Sequence, residues 1–244
     1  MVRFITRTHW LIWMVLTIPA LAQDKVSDPF EPVNRAVFSF NETADRYVLK
    51  PAARGYRAVT PDPVENGIAR MFDNLGEIVN VANALLQGKF VQAGNDSGRF
   101  LVNSTVGVAG FFDVAQVMGL EKNDGEDFGQ TLGVWGLRRG PYLVVPFLGP
   151  STLRDAPARY ADSFLNPVRY VDHVPTRNTI IGTSLLSTRA RLLEAEKLTR
   201  GDKYIFVRDV YLQRRVYLIR DGQVEDTFGS DYGEYGDESE YGEF

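Results

Sequence analysis

The sequence predicts a mostly α-helical protein built as one domain, and three observations carry that prediction. Apolar residues recur at helical spacing behind capping residues through most of the chain. Alternating, strand-like runs are nearly absent. The 244 residues can bury one substantial core, and no internal repeat divides them.

Asp28-Pro29-Phe30-Glu31-Pro32 opens the folded part. Val33, Val37, Phe40, Ala44, Tyr47 and Val48 then keep helical spacing, so a helix is expected over Pro32–Leu49, with Pro51 as its stop. Asn34, Asn41 and Asp45 fall near the same side as that stripe, whereas a helix on a soluble core usually separates the two. Asp62 as cap, Pro63 at the first helical position and Glu65 three residues on announce a second helix, which Asn74-Leu75-Gly76 kinks or divides and Gly88 closes. A third is expected over about Phe90–Ser104, with a helical turn or two at Asp113–Met118. Ser151 is expected to cap a helix through about Phe164, ahead of Asn166-Pro167. A long helix follows at about Thr176–Thr199, and Asp202 caps the last, which Gly222 ends.

The stretch from Phe100 to Asp155 departs from this pattern. Val106–Phe112 is apolar but far short of the ~20 residues a helix needs to span a bilayer. Tyr142–Pro150 is apolar and interrupted by Pro146 and Pro150, which suit neither a central strand nor a helix interior. Both segments are expected to be irregular or re-entrant. Phe128–Gly140, with glycines around Leu132, Val134 and Trp135, is expected to form a hairpin or loop rather than a helix. Glu121–Asp127 between them is a charged surface loop.

The ends carry their own signals. Residues 1–22 have the form of a secretory signal peptide: Arg3, Arg7 and His9, the apolar run Trp10–Ile18, then Ala20-Leu21-Ala22 with cleavage expected between Ala22 and Gln23. The folded domain is then 23–222, and 223–244 is an acidic Tyr/Gly-rich tail expected to be disordered. Arg3 and Arg7 lie in the leader, and six of the 31 acidic residues lie in the last sixteen positions, so the body carries 25 charges of each sign. That balance gives no electrostatic reason to bind nucleic acid.

Catalysis finds little support. After cleavage His173 is the sole histidine, there is no cysteine, and no G-x-S-x-G, P-loop or G-x-G-x-x-G motif is present. A thiolate nucleophile, a disulfide and a typical zinc site are thereby excluded, and no cofactor is expected. A non-enzyme is the expectation. Aromatic residues near arginines (Trp135 and Tyr142 around Arg138-Arg139; Tyr204, Tyr211 and Tyr217 among Arg208, Arg214 and Arg215) suit a headgroup region, though composition alone favours an ordinary soluble surface.

DPFEPVNRAVFSFN, NALLQGKF, NSTVGVAGFFDVA and DFGQTLGVWGLRRGPYLVVPFLGPSTLRD together resemble the MlaA/VacJ family, over about Asp28 to Tyr217. The resemblance implies a ring of amphipathic helices lying in the inner leaflet of the outer membrane, with a central amphipathic channel and glycine/proline-rich hairpin loops. It implies removal of misplaced phospholipid from the outer leaflet, docking on a trimeric porin, and delivery to a periplasmic carrier of the MlaC type. Phe38-Ser39-Phe40-Asn41 would lie near the channel's ring, Phe128–Gly140 would be the hairpin beside the pore, and Pro141–Asp155 its support. Small residues would let a lipid pass and polar ones would line its path. On that basis the candidate lipid-path residues are Phe38, Phe40, Asn41, Asn74, Gly107, Gly110, Gly129, Gly133, Trp135, Gly136, Gly140 and Tyr142, with Asn34, Asn103 and the arginines as further polar lining. The helices from Thr176 onward would face the porin. Many members are acylated on a cysteine after the signal. This chain has none, so it is expected to sit on the periplasmic side of the outer membrane without that anchor. The alternative is a soluble periplasmic scaffold or lipid-binding protein without a channel.

Overall fold

The computed structural model describes residues 28–196 and 201–223. The expected signal peptide with its Ala22/Gln23 cleavage, the acidic tail, and the end of the long helix at Thr199 lie outside the described residues. Within them the chain is mostly helical, with one two-stranded antiparallel sheet.

Helix α1 spans Glu31–Ala44 with Pro32 in its first turn. Pro51 does not stop it. The chain continues through a π-helical turn, Asp45–Leu49, into α2, Lys50–Val59, where Pro51 occupies the first turn. Proline lacks the N–H for an intrahelical bond and crowds the carbonyl four residues back. The widened turn ahead of it accommodates both effects within one continuous rod.

Helix α3, Asp62–Leu86, is unbroken through Asn74-Leu75-Gly76, so the expected division is absent. Asp62 is its first residue rather than its cap, and Pro61 holds the extended cap position. Gly88 (φ 76°) closes it as expected, with the Lys89 amide returning to the Ala84 carbonyl at 2.9 Å. Helix α4, Phe90–Thr105, folds back along α3. Their seam is polar: Asn74 and Glu77 of α3, and Asp96, Arg99 and Asn103 of α4, are buried, while the buried Asn83 of α3 turns to Thr131 and Asp162 instead. After the short α5, Val114–Val117, capped by Asp113, the charged loop leads to α6.

Helix α6 spans Phe128–Val134 and corrects the expectation of a hairpin there. The Asp127 carboxylate accepts from the Gln130 amide at 2.8 Å and starts the helix, and Gly136 (φ 89°) lies just past its end. Two glycines inside it serve close approach. A Cβ on Gly129 would lie 2.6 Å from an Arg215 nitrogen, and one on Gly133 would lie 2.7 Å from both Arg154 Nη1 and Ile219 Cδ1.

The hairpin lies further on. β1, Tyr142–Val145, pairs antiparallel with β2, Gly149–Thr152, in the register Tyr142↔Thr152 to Val145↔Gly149. The segment expected to be irregular is therefore a strand pair, and the two prolines fit it. Pro146 sits in the connection, and Pro150 is in a strand with only one neighbour, where a missing amide is tolerated. Ser151 belongs to β2 and is no cap. Thr152 Oγ1 instead accepts from the Asp155 amide at 3.1 Å, at the start of α7, Asp155–Asp162.

Helix α8, Val174–Ala195, packs along α2 through small side chains, with Ala53, Ser187 and Ala190 buried. Helix α9, Lys203–Ile219, starts on Asp202, whose carboxylate accepts from the Tyr204 amide at 2.9 Å. Gly222 (φ 78°) returns its amide to the Tyr217 carbonyl at 3.0 Å. The apolar core is small: Tyr142 and Val144 of β1 against Tyr204 and Leu212 of α9, with Val37 and Phe38 of α1 packed on it. Burial pushes the Tyr142 hydroxyl up to about 12.

Candidate functional site

Polarity runs inside out in this protein. Of the seven largest fully buried side chains, six are Asn83, Thr131, Thr152, Asp96, Ser151 and Ser187, and the seventh is Tyr142. Large apolar groups point outward instead: Tyr47 and Val48 of the π turn, Val91 and Leu101 of α4, Val117, Trp135, Phe147 and Leu153 are each more than half exposed. Scattered exposed apolar residues are ordinary. A set this large over a polar interior is the signature of a surface built to meet something apolar. Among the described residues no helix is long and apolar enough to cross a membrane.

The predicted lipid-path residues divide between this surface and the interior. Phe40 is half exposed and meets Phe147 edge-on at 5.1 Å, so a helix residue and the hairpin tip share one outward face. Trp135 is exposed, with its indole N–H donating to the Leu86 carbonyl at 3.2 Å. Tyr142 is buried and Phe38 half-buried, and each lies edge-on to Tyr204. Gly136 and Gly140 are exposed beyond α6. Gly107 and Gly110 are buried in the turn after α4, where Val108 and Ala109 also adopt left-handed backbone (φ 53° and 55°). For a β-branched residue such as Val108 this conformation is strained. The turn presents Val106, Val108 and Phe112 to the outside.

The asparagines have specific partners. Asn34 donates to the Tyr142 carbonyl (3.0 Å) and accepts from the Val144 amide (2.9 Å). Asn41 donates to the Val145 carbonyl (3.1 Å) and accepts from the Phe147 amide (2.8 Å). Both fasten α1 to the outer edge of β1. Asn74 donates to Ser104 (2.8 Å), and Asn103 donates to Asp113 (3.0 Å) while accepting from the Ala115 amide (2.9 Å). His173, the sole histidine after the expected cleavage, is exposed and caps α8 through Thr176.

Two arginine centres occupy the interior. In the first, Arg99 donates to Glu77 (3.4 Å), to the Leu120 carbonyl (2.6 Å) and to both oxygens of Asp113 (3.0 and 3.2 Å). Burial holds the Glu77 carboxyl above its usual range. Burial acts the same way on Asp113, but hydrogen bonds from Asn103 and Arg99 outweigh it and leave Asp113 below. In the second centre, Arg154 of the β2–α7 corner binds Asp155 (2.8 Å), and Arg215 of α9 binds Asp127 (2.9 Å) and Asp155 (3.2 Å). Burial would raise both aspartates, but the arginines hold both below the usual carboxylate range. Tyr211 also donates to Asp155, at 2.9 Å.

Sequence reasoning treated the arginines as a generic lining and as companions of headgroup aromatics, and did not assemble either centre. The available signal was Gly129 and Gly133, one helical turn apart behind Asp127, which is the pattern that lets a guanidinium approach a helix. Beside the second centre is a cavity of about 240 Å³, walled by Leu137, Leu212, Val216 and Ile219 as well as arginines. A larger open cleft of about 850 Å³ lies between the α3–α4 turn, residues 119–126 and the end of α9, and no predicted lipid-path residue lines it.

A family model described as "MlaA lipoprotein" matches residues 26–218. The chain is 35% identical over 206 residues to the "Intermembrane phospholipid transport system lipoprotein MlaA" of Escherichia coli (strain K12), covering 82% of this chain and 81% of that protein. It is 32% identical over 206 residues to the protein of the same description from Haemophilus influenzae, covering 82% of each. A solved structure from work on the "Structural basis for maintenance of bacterial outer membrane lipid asymmetry" superposes with a TM-score of 0.68 at 34% identity, covering 79% of this chain and 99% of that one.

Proposed function

Since this chain belongs to the MlaA lipoprotein family, we propose that it is the outer-membrane component of an intermembrane phospholipid transport system. In this reading it withdraws misplaced phospholipid from the outer leaflet through an amphipathic passage and passes it to a periplasmic carrier. The observation that carries the reading is the inverted polarity: an apolar exterior beside a buried lattice of Asn, Asp, Arg and Thr. Each large apolar side chain moved from water into lipid gains ~1.5–3 kcal/mol, so such an exterior favours immersion. With no spanning helix among the described residues, that immersion is at one leaflet.

Transport needs no catalysis here. A lipid on the wrong side of an asymmetric bilayer runs down its own gradient once a path accepts both head and tails. Irregular backbone at membrane depth is acceptable where protein buries it or a polar cavity adjoins it. The turn at 106–112 and the hairpin tip at 146–148 are the segments that suit this role, with Phe40, Phe147 and Val108 on the outer side. Helix α8 exposes Ile181, Leu185 and Leu192 on one stripe, which suits docking on a trimeric porin, and a carrier of the MlaC type would receive lipid on the periplasmic side.

The relatives are named lipoproteins, whereas none of these 244 residues is a cysteine, so a thioether-linked lipid has no attachment point in this sequence. Attachment through the exposed apolar belt takes its place in this reading.

The test is deletion of the gene followed by an assay of phospholipid exposed on the cell surface. Exposure is expected to rise and to be restored by the wild-type chain. An unchanged outer leaflet overturns the reading. Recovery of the folded protein in the soluble fraction without detergent, never with a porin, would favour a periplasmic scaffold instead.

A further inference from the structure

The cavity of about 240 Å³ beside the second arginine centre has a composition that the ion pairs around it do not explain. Arg138, Arg139, Arg154, Arg215 and Arg220 contribute to its wall, and Asp155 is the one acid that does. Leu212, Val216 and Ile219 form a single stripe on α9 and make part of the wall apolar.

The buried network leaves cationic capacity unspent. Arg154 is nine-tenths buried, gives Nε to Asp155 and Nη1 to the Leu137 carbonyl (3.2 Å), and keeps Nη2 buried without an acceptor. Arg215 gives both terminal nitrogens to aspartates and keeps Nε buried without one. Buried donors seldom stay unsatisfied in native proteins, and where they do a missing ion is one explanation. Asp127 and Asp155 together balance only Arg154 and Arg215. Arg139 and Arg220 make no ion pair among the described residues, so the wall is left net positive.

We propose that this cavity is a binding subsite for a phosphate oxyanion, and that its ligand is the phosphodiester of a phospholipid head group with the glycerol laid against Leu212, Val216 and Ile219. The choice of lipid as the source rests on the transport reading above. The phosphate chemistry does not. Planar guanidinium forks match phosphate oxygens in pairs, and Arg139 and Arg220 stand beside Arg154 and Arg215, whose two aspartates are already engaged. The volume is below that of pockets that enclose whole drug-sized ligands, so the site takes a head group and leaves the acyl chains outside. Gly133 keeps the site open, because a Cβ there would meet Arg154 and Ile219.

The test uses the purified full chain in a nonionic detergent, titrated with monomeric dihexanoylphosphatidylglycerol and, separately, with inorganic phosphate. Binding is read by calorimetry and by the arginine Nε–H resonances. The lipid is expected to bind more tightly than phosphate and to shift the Arg215 resonance. The double variant Arg139→Gln/Arg220→Gln, at two cavity-wall positions outside the buried ion pairs, is expected to keep the melting temperature and to weaken lipid binding by about tenfold to a hundredfold, the worth of one to two charge-assisted hydrogen bonds. Equal binding of lipid and phosphate, both lost in the double variant, overturns the head-group assignment and leaves an inorganic-anion site. Absence of binding, or binding indifferent to the double variant, overturns the site itself. The double variant is also returned to the deletion strain. Normal surface phospholipid there, despite lost binding, removes the subsite from transport without touching the transport reading, which fails only if the deletion itself changes nothing.

Discussion

The two buried arginine centres use the same side chains to different ends. Around Arg99 each of the three guanidinium nitrogens has an acceptor, and the carboxylates on either side belong to α3 and the start of α5. Around Arg154 and Arg215 two nitrogens are left over and further arginines stand at a cavity. The first is a closed bolt between helices, and the second retains a capacity to bind. A buried ion pair thus signals architecture where its donors are exhausted, and a site where they are not.

The largest effect should come from breaking the closed centre. Arg99→Met strands Glu77 and Asp113 in the α3–α4 seam, and loss of one partner of a buried pair costs about 3–5 kcal/mol. Chemical denaturation should show that loss. It should shrink on acidification, because without Arg99 the raised Glu77 carboxyl protonates more readily. A loss independent of pH would mean that packing, not charge, holds the seam.

Glycine substitution sharpens the contrast next. Gly133→Ala on α6 forces a methyl against Arg154 and Ile219 and should cost about 1–3 kcal/mol. Gly94→Ala on α4 meets nothing within 4 Å and should instead stabilise by about 0.5–1 kcal/mol through helix propensity. Equal effects at the two positions would contradict the close approach at α6.

Acid should open the two centres in a definite order. Asp127 and Asp155 both have depressed folded values, so their stabilisation is complete above an unfolded value near ~3.9 and is lost as pH falls through the folded ones. In the other centre Asp113 behaves likewise, but Glu77 is raised and has the opposite sign: its contribution is present below its unfolded value and is lost as pH rises through the folded one. Asp162, which accepts from the Phe128 amide beside the second centre, is raised by burial as Glu77 is, but two depressed aspartates there stand against one in the first centre. Amide exchange followed downward from pH 5 should therefore show α6 and α9 losing protection before α3 and α4. The smallest effect belongs to Arg139→Gln alone, expected within about 0.5 kcal/mol of the wild type in a thermal melt.

What the sequence made legible was local. The Asp202 cap, the Gly88 and Gly222 stops and the bounds of α4 each depend on a few neighbouring residues, and all were read correctly. The errors came where distant partners decide. Gly129 and Gly133 look like loop residues until Arg154, Arg215 and Ile219 are seen to lie against them. Tyr142–Thr152 looks too interrupted for strands until Asn34 and Asn41 are seen fastening its edge. Pro51 looks terminal until the π turn ahead of it is known. The same limit hid the site: Asp155 and Arg215 are sixty positions apart, and Arg154 and Arg215 meet through that aspartate.

The asparagine pair has one more consequence. Seven residues of α-helix advance about 10.5 Å, and the three strand residues between the two grips advance about 10 Å, so the two ladders share a common pitch. Each carboxamide stands in for a peptide group of an absent third strand, leaving that rim of the hairpin little to offer a stray chain. Because the rungs coincide only in whole steps, the hairpin cannot creep along the helix. The height of Phe147 over Phe40 is set like a notch rather than a slide.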